Sequence, residues 1–263
     1  MRSPTDIVDL RKSGGGHTKA ERIAALRRTM EGLQSIPAGM APEHITAGVG
    51  ASLAPGLPAP GLVSSVLNEV SAARGDRPAA FGFLFALMAA AAQARAGLAV
   101  FVAARRALEC GAPYGHGLAQ LGLDVGRLIL VETDTDKEAL WALEETLRSE
   151  AKPAVVAGAI EAGLDLTQSR KLNLAAAVHA TPLVLLRGVK AAGTSAAAAR
   201  WRIASAPGAL DRFDTFESCR WHVALERCRN GRTGAWLIEW DHAAHRFRSV
   251  ESLPVHAPVA SVQ

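Results

Sequence analysis

Arg74, Asp76 and Arg77 stand in the segment 71–80, which reads Ser-Ala-Ala-Arg-Gly-Asp-Arg-Pro-Ala-Ala. It lies between an apolar run ending at Val70 and a long run of Ala, Leu and Phe. A strand–loop–helix of this kind is where G-x-x-x-x-G-K-[ST] holds phosphate. The glycines let backbone N–H groups close around the anion, the Lys reaches the outer phosphates, and the hydroxyl holds Mg²⁺. No Gly-Lys-Ser or Gly-Lys-Thr occurs in the 263 residues. Pro78, in the expected first helical turn, removes a backbone donor, and Asp76 repels a phosphate. Arg74 and Arg77 can meet an anion without replacing the cradle.

Phosphoryl transfer also needs an acidic residue ending the third buried strand, where it supports the metal. Here Val155-Val156 runs into Ala157-Gly158-Ala159, and no carboxylate is expected at that place. The two losses together predict a chain that is not an ATPase, with no catalytic residues and no cofactor. Other chemistries are equally short of parts. Glu144 and Glu145 are neighbours on a helix and face different ways, which does not suit an acid/base pair. His242 and His245 are three apart, but no acidic or cysteine set completes a metal site. No G-x-S-x-G elbow accompanies the serines.

Basic residues offer a contact chemistry instead. From Arg187 to Arg248 there are eleven Lys and Arg against six Asp and Glu, a surplus larger than the net +4 of the whole chain. Arg170 and Lys171 open a helix. Arg200 and Arg202, two apart on a strand, share one face with Trp201 on the other. Arg220, Arg227, Arg229 and Arg232 alternate with Trp221, Trp236 and Trp240. Arg interleaved with aromatics suits stacked single-stranded DNA or a protein hot spot. The plainer expectation is that Trp201 and at least two of the other three bury in the core.

The elements that must position these residues follow from periodicity. Strands are predicted over 65–70, 98–103, 127–132, 154–157, 182–186 and 200–205. Helices are predicted over 79–94, 115–121, 137–149 and 167–179. Short apolar strands alternating with helices imply a mostly parallel sheet covered on both faces. Trp221–Glu226 and Trp236–Asp241 alternate around Asn230-Gly231, an antiparallel hairpin. Thr18 and Glu21 form a capping box ahead of Ile23, Leu26, Met30 and Leu33, an amphipathic helix. Residues 34–62 hold five prolines and read as a linker.

The expected organisation is therefore an N-terminal helix and Pro/Gly-rich linker over 1–60, a core over 61–210, a basic hairpin region over 211–252, and a flexible tail from 253. The most apolar run, Phe81–Ala92, is about 12 residues, short of the roughly 20 that cross a membrane. No secretory leader is expected. Three cysteines without a C-x-x-C pair point to a reduced, cytoplasmic compartment.

The ordered set of local stretches resembles the ImuA family, the RecA-like and SulA-like accessory proteins of bacterial mutagenic repair cassettes. The resemblance is carried by Asn68-Glu69-Val70, Gly115-His116-Gly117-Leu118, Leu121-Gly122-Leu123-Asp124 and Leu140–Arg148. It continues in Ser169-Arg170-Lys171-Leu172, Arg200-Trp201-Arg202 and Arg227-Cys228-Arg229-Asn230-Gly231. It covers about Gly61 to Trp240 and implies a RecA-like core with a diverged phosphate loop. It also implies a role in the SOS response to DNA damage, in mutagenic translesion synthesis. The implied partners are an ImuB-like Y-family polymerase homologue, an error-prone replicative-type polymerase and RecA. Single-stranded DNA is a further candidate, and a membrane is not. A SulA-like division inhibitor and a degenerate nucleotide- or DNA-binding protein are the alternative readings.

Overall fold

The computed structural model describes residues 7–9, 65–188, 194–210, 212–228 and 233–253. The expected N-terminal helix, the proline-rich stretch, the Asn230-Gly231 turn and the tail from Pro254 lie outside the described residues.

Ten strands of the described residues form one sheet in the order β1-β4-β3-β5-β6-β2-β7-β8-β9-β10. In chain order they are β1 (Ile7–Asp9), β2 (Leu67–Ala72), β3 (Ala99–Ala104), β4 (Leu128–Thr133), β5 (Val155–Ala159), β6 (Leu183–Arg187), β7 (Ala199–Leu210), β8 (Phe216–Cys228), β9 (Gly234–Asp241) and β10 (Arg246–Leu253). Pairing from β1 through β7 is parallel, and β8, β9 and β10 add antiparallel strands at one end. The helices are α1 (Arg77–Ala94), α2 (Gly115–Gln120), α3 (Asp136–Arg148) and α4 (Leu166–Val178). The α/β architecture expected from the sequence, a mostly parallel sheet with helices and an antiparallel C-terminal end, is the observed one. The C-terminal element is larger than a hairpin, because β10 adds a third antiparallel strand on β9.

α1 is 18 residues long, longer than its apolar run suggested, and it meets length and composition tests for a membrane span. Its residues from Ala80 to Ala91 are nonetheless almost all buried. It lies against one sheet face and packs Phe83 on Trp221 (ring centroids 5.7 Å apart) and on Phe247 (5.3 Å), while Trp240 meets Phe247 at 4.8 Å. Rings of this size each contribute roughly 1.5–3 kcal/mol by burial, so this cluster fastens the antiparallel end to the parallel part. Trp201, Trp221 and Trp240 are buried as expected, and Trp236 is half-buried.

The other sheet face is covered by α3 and α4, which pack on Val100, Ile129, Val156, Leu183 and Leu185. Both start on a side-chain cap. Thr135 accepts from the Glu138 N–H, and Asp165 with Gln168 forms a reciprocal capping box, each worth about 1 kcal/mol. That helical cover ends over β2. Beyond it the same face of β7, β8 and β9 carries Arg200, Arg202, Arg220, His222, Glu226 and Glu239.

Candidate functional site

Two charged clusters lie at the C-terminal ends of the parallel strands and where the helical cover ends. The first lies where β2 runs into α1. Arg77 opens α1, with Pro78 behind it and Asp76 at the cap position. Its Nε and Nη2 donate to the Ala107 carbonyl at 3.3 and 3.1 Å. Nη2 also pairs with the Glu161 carboxylate, and the guanidinium lies 5.5 Å from the Phe81 ring centroid. Asp76 accepts from the Ser205 hydroxyl. The guanidinium expected to be free for an anion is therefore held by the protein's own carboxylate.

Glu161 corrects the reading of the third buried strand. β5 ends at Ala159, and a carboxylate does stand at its mouth, two residues further on. Asp136, in the first turn of α3, accepts from the Glu161 and Ala162 amides at 3.2 and 2.7 Å and fixes that loop. Gly188, after β6, leaves room for it, since a Cβ there would overlap the Glu161 carbonyl oxygen. The carboxylate is turned onto Arg77, away from the free position a metal-supporting acid needs.

Burial pushes the Glu161 carboxyl above the usual range. Arg77 opposes this, and the nearby charges of Glu109 and Asp136 add to it. A carboxyl raised in the folded state binds its proton more tightly there than in the unfolded chain. Its contribution is then full below about pH 4.3 and is lost as pH rises through the raised value. Glu161→Gln is accordingly expected to melt at or above the wild-type temperature at pH 7. The difference should disappear toward pH 4 in thermal melts across that range. A variant that melts well below wild type at pH 7 would mean that the ion pair is net stabilising.

The second cluster runs across β6, β2, β7 and β8. Glu69 is buried in β2, and its Oε2 accepts from Arg187 Nη1 at 2.6 Å and from Arg200 Nε at 3.1 Å. Beside it Arg202 pairs with Glu226, and Arg220 Nε reaches Glu239 at 2.6 Å, with Arg248 on the other oxygen of that carboxylate. Arg227 Nη1 donates to the Ser195 carbonyl at 3.4 Å. Glu69, Ser71, Arg187, Arg200, Arg202 and Glu226 line a polar cavity of about 70 Å³. Ligand pockets run from about 300 Å³ upward, so this one admits water and not a nucleotide. Guanidinium groups do not transfer protons at neutral pH, and Oε2 of Glu69 accepts from both arginines. The seam organises charge; it is not arranged for acid/base work.

The residues singled out in the sequence therefore separate. Arg200 and Arg202 share a face as their spacing required, and Arg220 joins them on the open sheet. All three are matched to carboxylates. Arg170 and Lys171 sit apart, exposed on α4, with no ion pair among the described residues. Arg229 and Arg232 lie outside the described residues. His242 and His245 fall in the β9–β10 turn, not on a helix, and His242 Nδ1 lies 3.3 Å from the Gln120 carbonyl oxygen. Sequence reasoning missed Glu69 and Glu161 as partners. A lone carboxylate inside the apolar strand 67–72 was the available signal for the first.

No family model matches the chain. Two curated relatives do. Protein ImuA of Caulobacter vibrioides, in strains NA1000/CB15N and ATCC 19089/CB15, is 37% identical over 201 residues, covering 71% of this chain and 79% of the relative. The chain belongs to the ImuA family. That membership supports the context of an SOS mutagenesis cassette.

Proposed function

We propose that this chain is a non-catalytic accessory protein of SOS-induced translesion synthesis, working in the cytoplasm by binding an ImuB-like polymerase homologue, RecA, or both. The observation that carries the reading is the Arg77–Glu161 pair where a nucleotide phosphate would bind. A protein that spends its phosphate site on an internal ion pair acts through its surface. The open face of β7–β9 is the surface we assign to the polymerase-like partner. Its arginines alternate with Glu226 and Glu239, which suits a partner of mixed charge. A strand of phosphates calls for unpaired basic side chains.

The test is a pull-down of the purified chain with its ImuB-like protein and with RecA, with and without single-stranded DNA. Binding to at least one protein is expected, and Arg202→Asp should weaken the polymerase-like complex by more than about tenfold, as for a charged hot spot. Failure to bind either protein would sink the reading. Calorimetric titration with ATP and Mg²⁺ should give no saturable heat; micromolar binding would restore the nucleotide-binding alternative. Retention on DNA that falls steeply with salt would favour a plain DNA-binding module.

A further inference from the structure

Two exposed apolar surfaces remain that neither charged cluster uses. The first is the end of a projecting arm. β7 pairs with β2 only through Ala199–Ile203, and β8 pairs with β9 only over Arg220–Leu225. Residues 204–219 therefore continue as a two-stranded arm beyond those pairings, with Ala209 and Ser218 buried along it. Its end exposes Leu210, Phe213 and Phe216 at 57%, 70% and 60%.

These side chains are placed with some care. Gly208 leaves room for the Phe216 ring, since a Cβ there would meet Phe216 Cε2 at 2.6 Å. Arg212 lies over the Phe213 ring, 4.6 Å from its centroid. Pro207 interrupts the row of N–H donors along the arm, which disfavours a partner that adds a strand. The tip is thus built to offer side chains. Residues 210–217 carry Asp211, Asp214 and Glu217 against Arg212 alone, so it is acidic and unsuited to nucleic acid or an anionic lipid surface.

The second surface is the outward face of α4. It buries Leu172, Ala175 and Ala176 inward, and its solvent side should be polar. Instead Leu166, Leu174 and Val178 stand exposed along one stripe, the last two at 66% and 67%, with Arg170 between the first two and Lys171 beside it. The only carboxylate in the helix's approach, Asp165, is occupied in the capping box.

One surface is apolar and acidic, the other apolar and basic, and within one chain they do not meet. We propose that the arm tip of one chain docks on α4 of a second copy, with Leu210, Phe213 and Phe216 against Leu166, Leu174 and Val178, and Asp214 and Glu217 against Arg170 and Lys171. The contact is between two different patches, so each chain keeps one of each and assembly can continue past two.

Sedimentation velocity on the full chain up to about 100 µM tests this. Wild type should associate with rising concentration, and less so at high salt. Phe213→Asp/Phe216→Asp and Arg170→Glu/Lys171→Glu should each weaken association by more than about tenfold, with unchanged circular dichroism and melting. An equimolar mixture of the two variants should form a one-to-one complex and stop there, because only one competent tip and one competent helix face remain. A wild type that stays monomeric overturns the proposal and leaves the tip to a different protein. Variants that associate like wild type, or a mixture that stays monomeric, also overturn it.

Discussion

Glu69→Ala is expected to lower stability by about 3–5 kcal/mol, the usual result of removing one partner from a buried ion pair. Arg187, 4% exposed, would keep its charge in the sheet without the carboxylate that now sits 2.6 Å from it. For a folded region of this size each kcal/mol shifts melting by about 2–4 °C, so the midpoint should fall by roughly 6–20 °C. Arg200, whose side chain is 23% exposed, can turn toward water and adds little to the loss. The companion variant Glu69→Leu/Arg187→Leu should recover most of the stability, because apolar replacement of both members is close to neutral. Thermal melts of both variants decide the matter. A Glu69→Ala protein melting within about 2 °C of wild type would show that the seam is not structural.

Gly158→Asp, which would put a carboxylate inside the third buried strand, is expected to be among the most damaging single changes. A Cβ at Gly158 would lie 2.8 Å from Leu143 Cδ1 and 3.0 Å from Leu185 Cδ1, both in buried side chains. Gly158→Ala should therefore cost about 1–3 kcal/mol through overpacking beneath α3. Aspartate adds a charge buried without a partner, worth several kcal/mol more. Denaturant titration should rank wild type above Gly158→Ala and that above Gly158→Asp. An aspartate variant as stable as the alanine variant would mean that this site opens to water. The fold has closed over this position, which leaves no room for a carboxylate within the strand.

The parallel part was legible because its strands are buried on both faces. Runs such as Ala99–Ala104 and Leu128–Val131 read as unbroken apolar segments, and the limits of their strands emerge within a residue or two. β1, three residues long, has no period to read. β10 exposes most of its side chains and buries Phe247 alone of those described, so its alternation is weak. The outer halves of β7 and β8 were also hidden. Pro207-Gly208 looks like loop, and it is carried within β7 by the pairs Ala206–Arg220 and Ala209–Ser218 on either side of a bulge. At the candidate site a period of two placed Arg200 and Arg202 on one face. It could not reveal that Glu69, 131 residues away, would lie between Arg187 and Arg200. Glu161 was missed for a smaller reason, standing two residues beyond the strand end where the acid was sought.

The position of β2 also governs how the chain must be made. Among the described residues it is the first long strand in chain order, yet its neighbours are β6 and β7, with Asn68 against Val184 and Ala199. At about 5–20 residues per second the ribosome needs roughly 6–25 s to supply β6. Through that interval both hydrogen-bonding edges of β2 and the apolar helix α1 are exposed. The nascent chain, and any truncation ending before Arg187, is therefore expected to aggregate more readily than the finished fold.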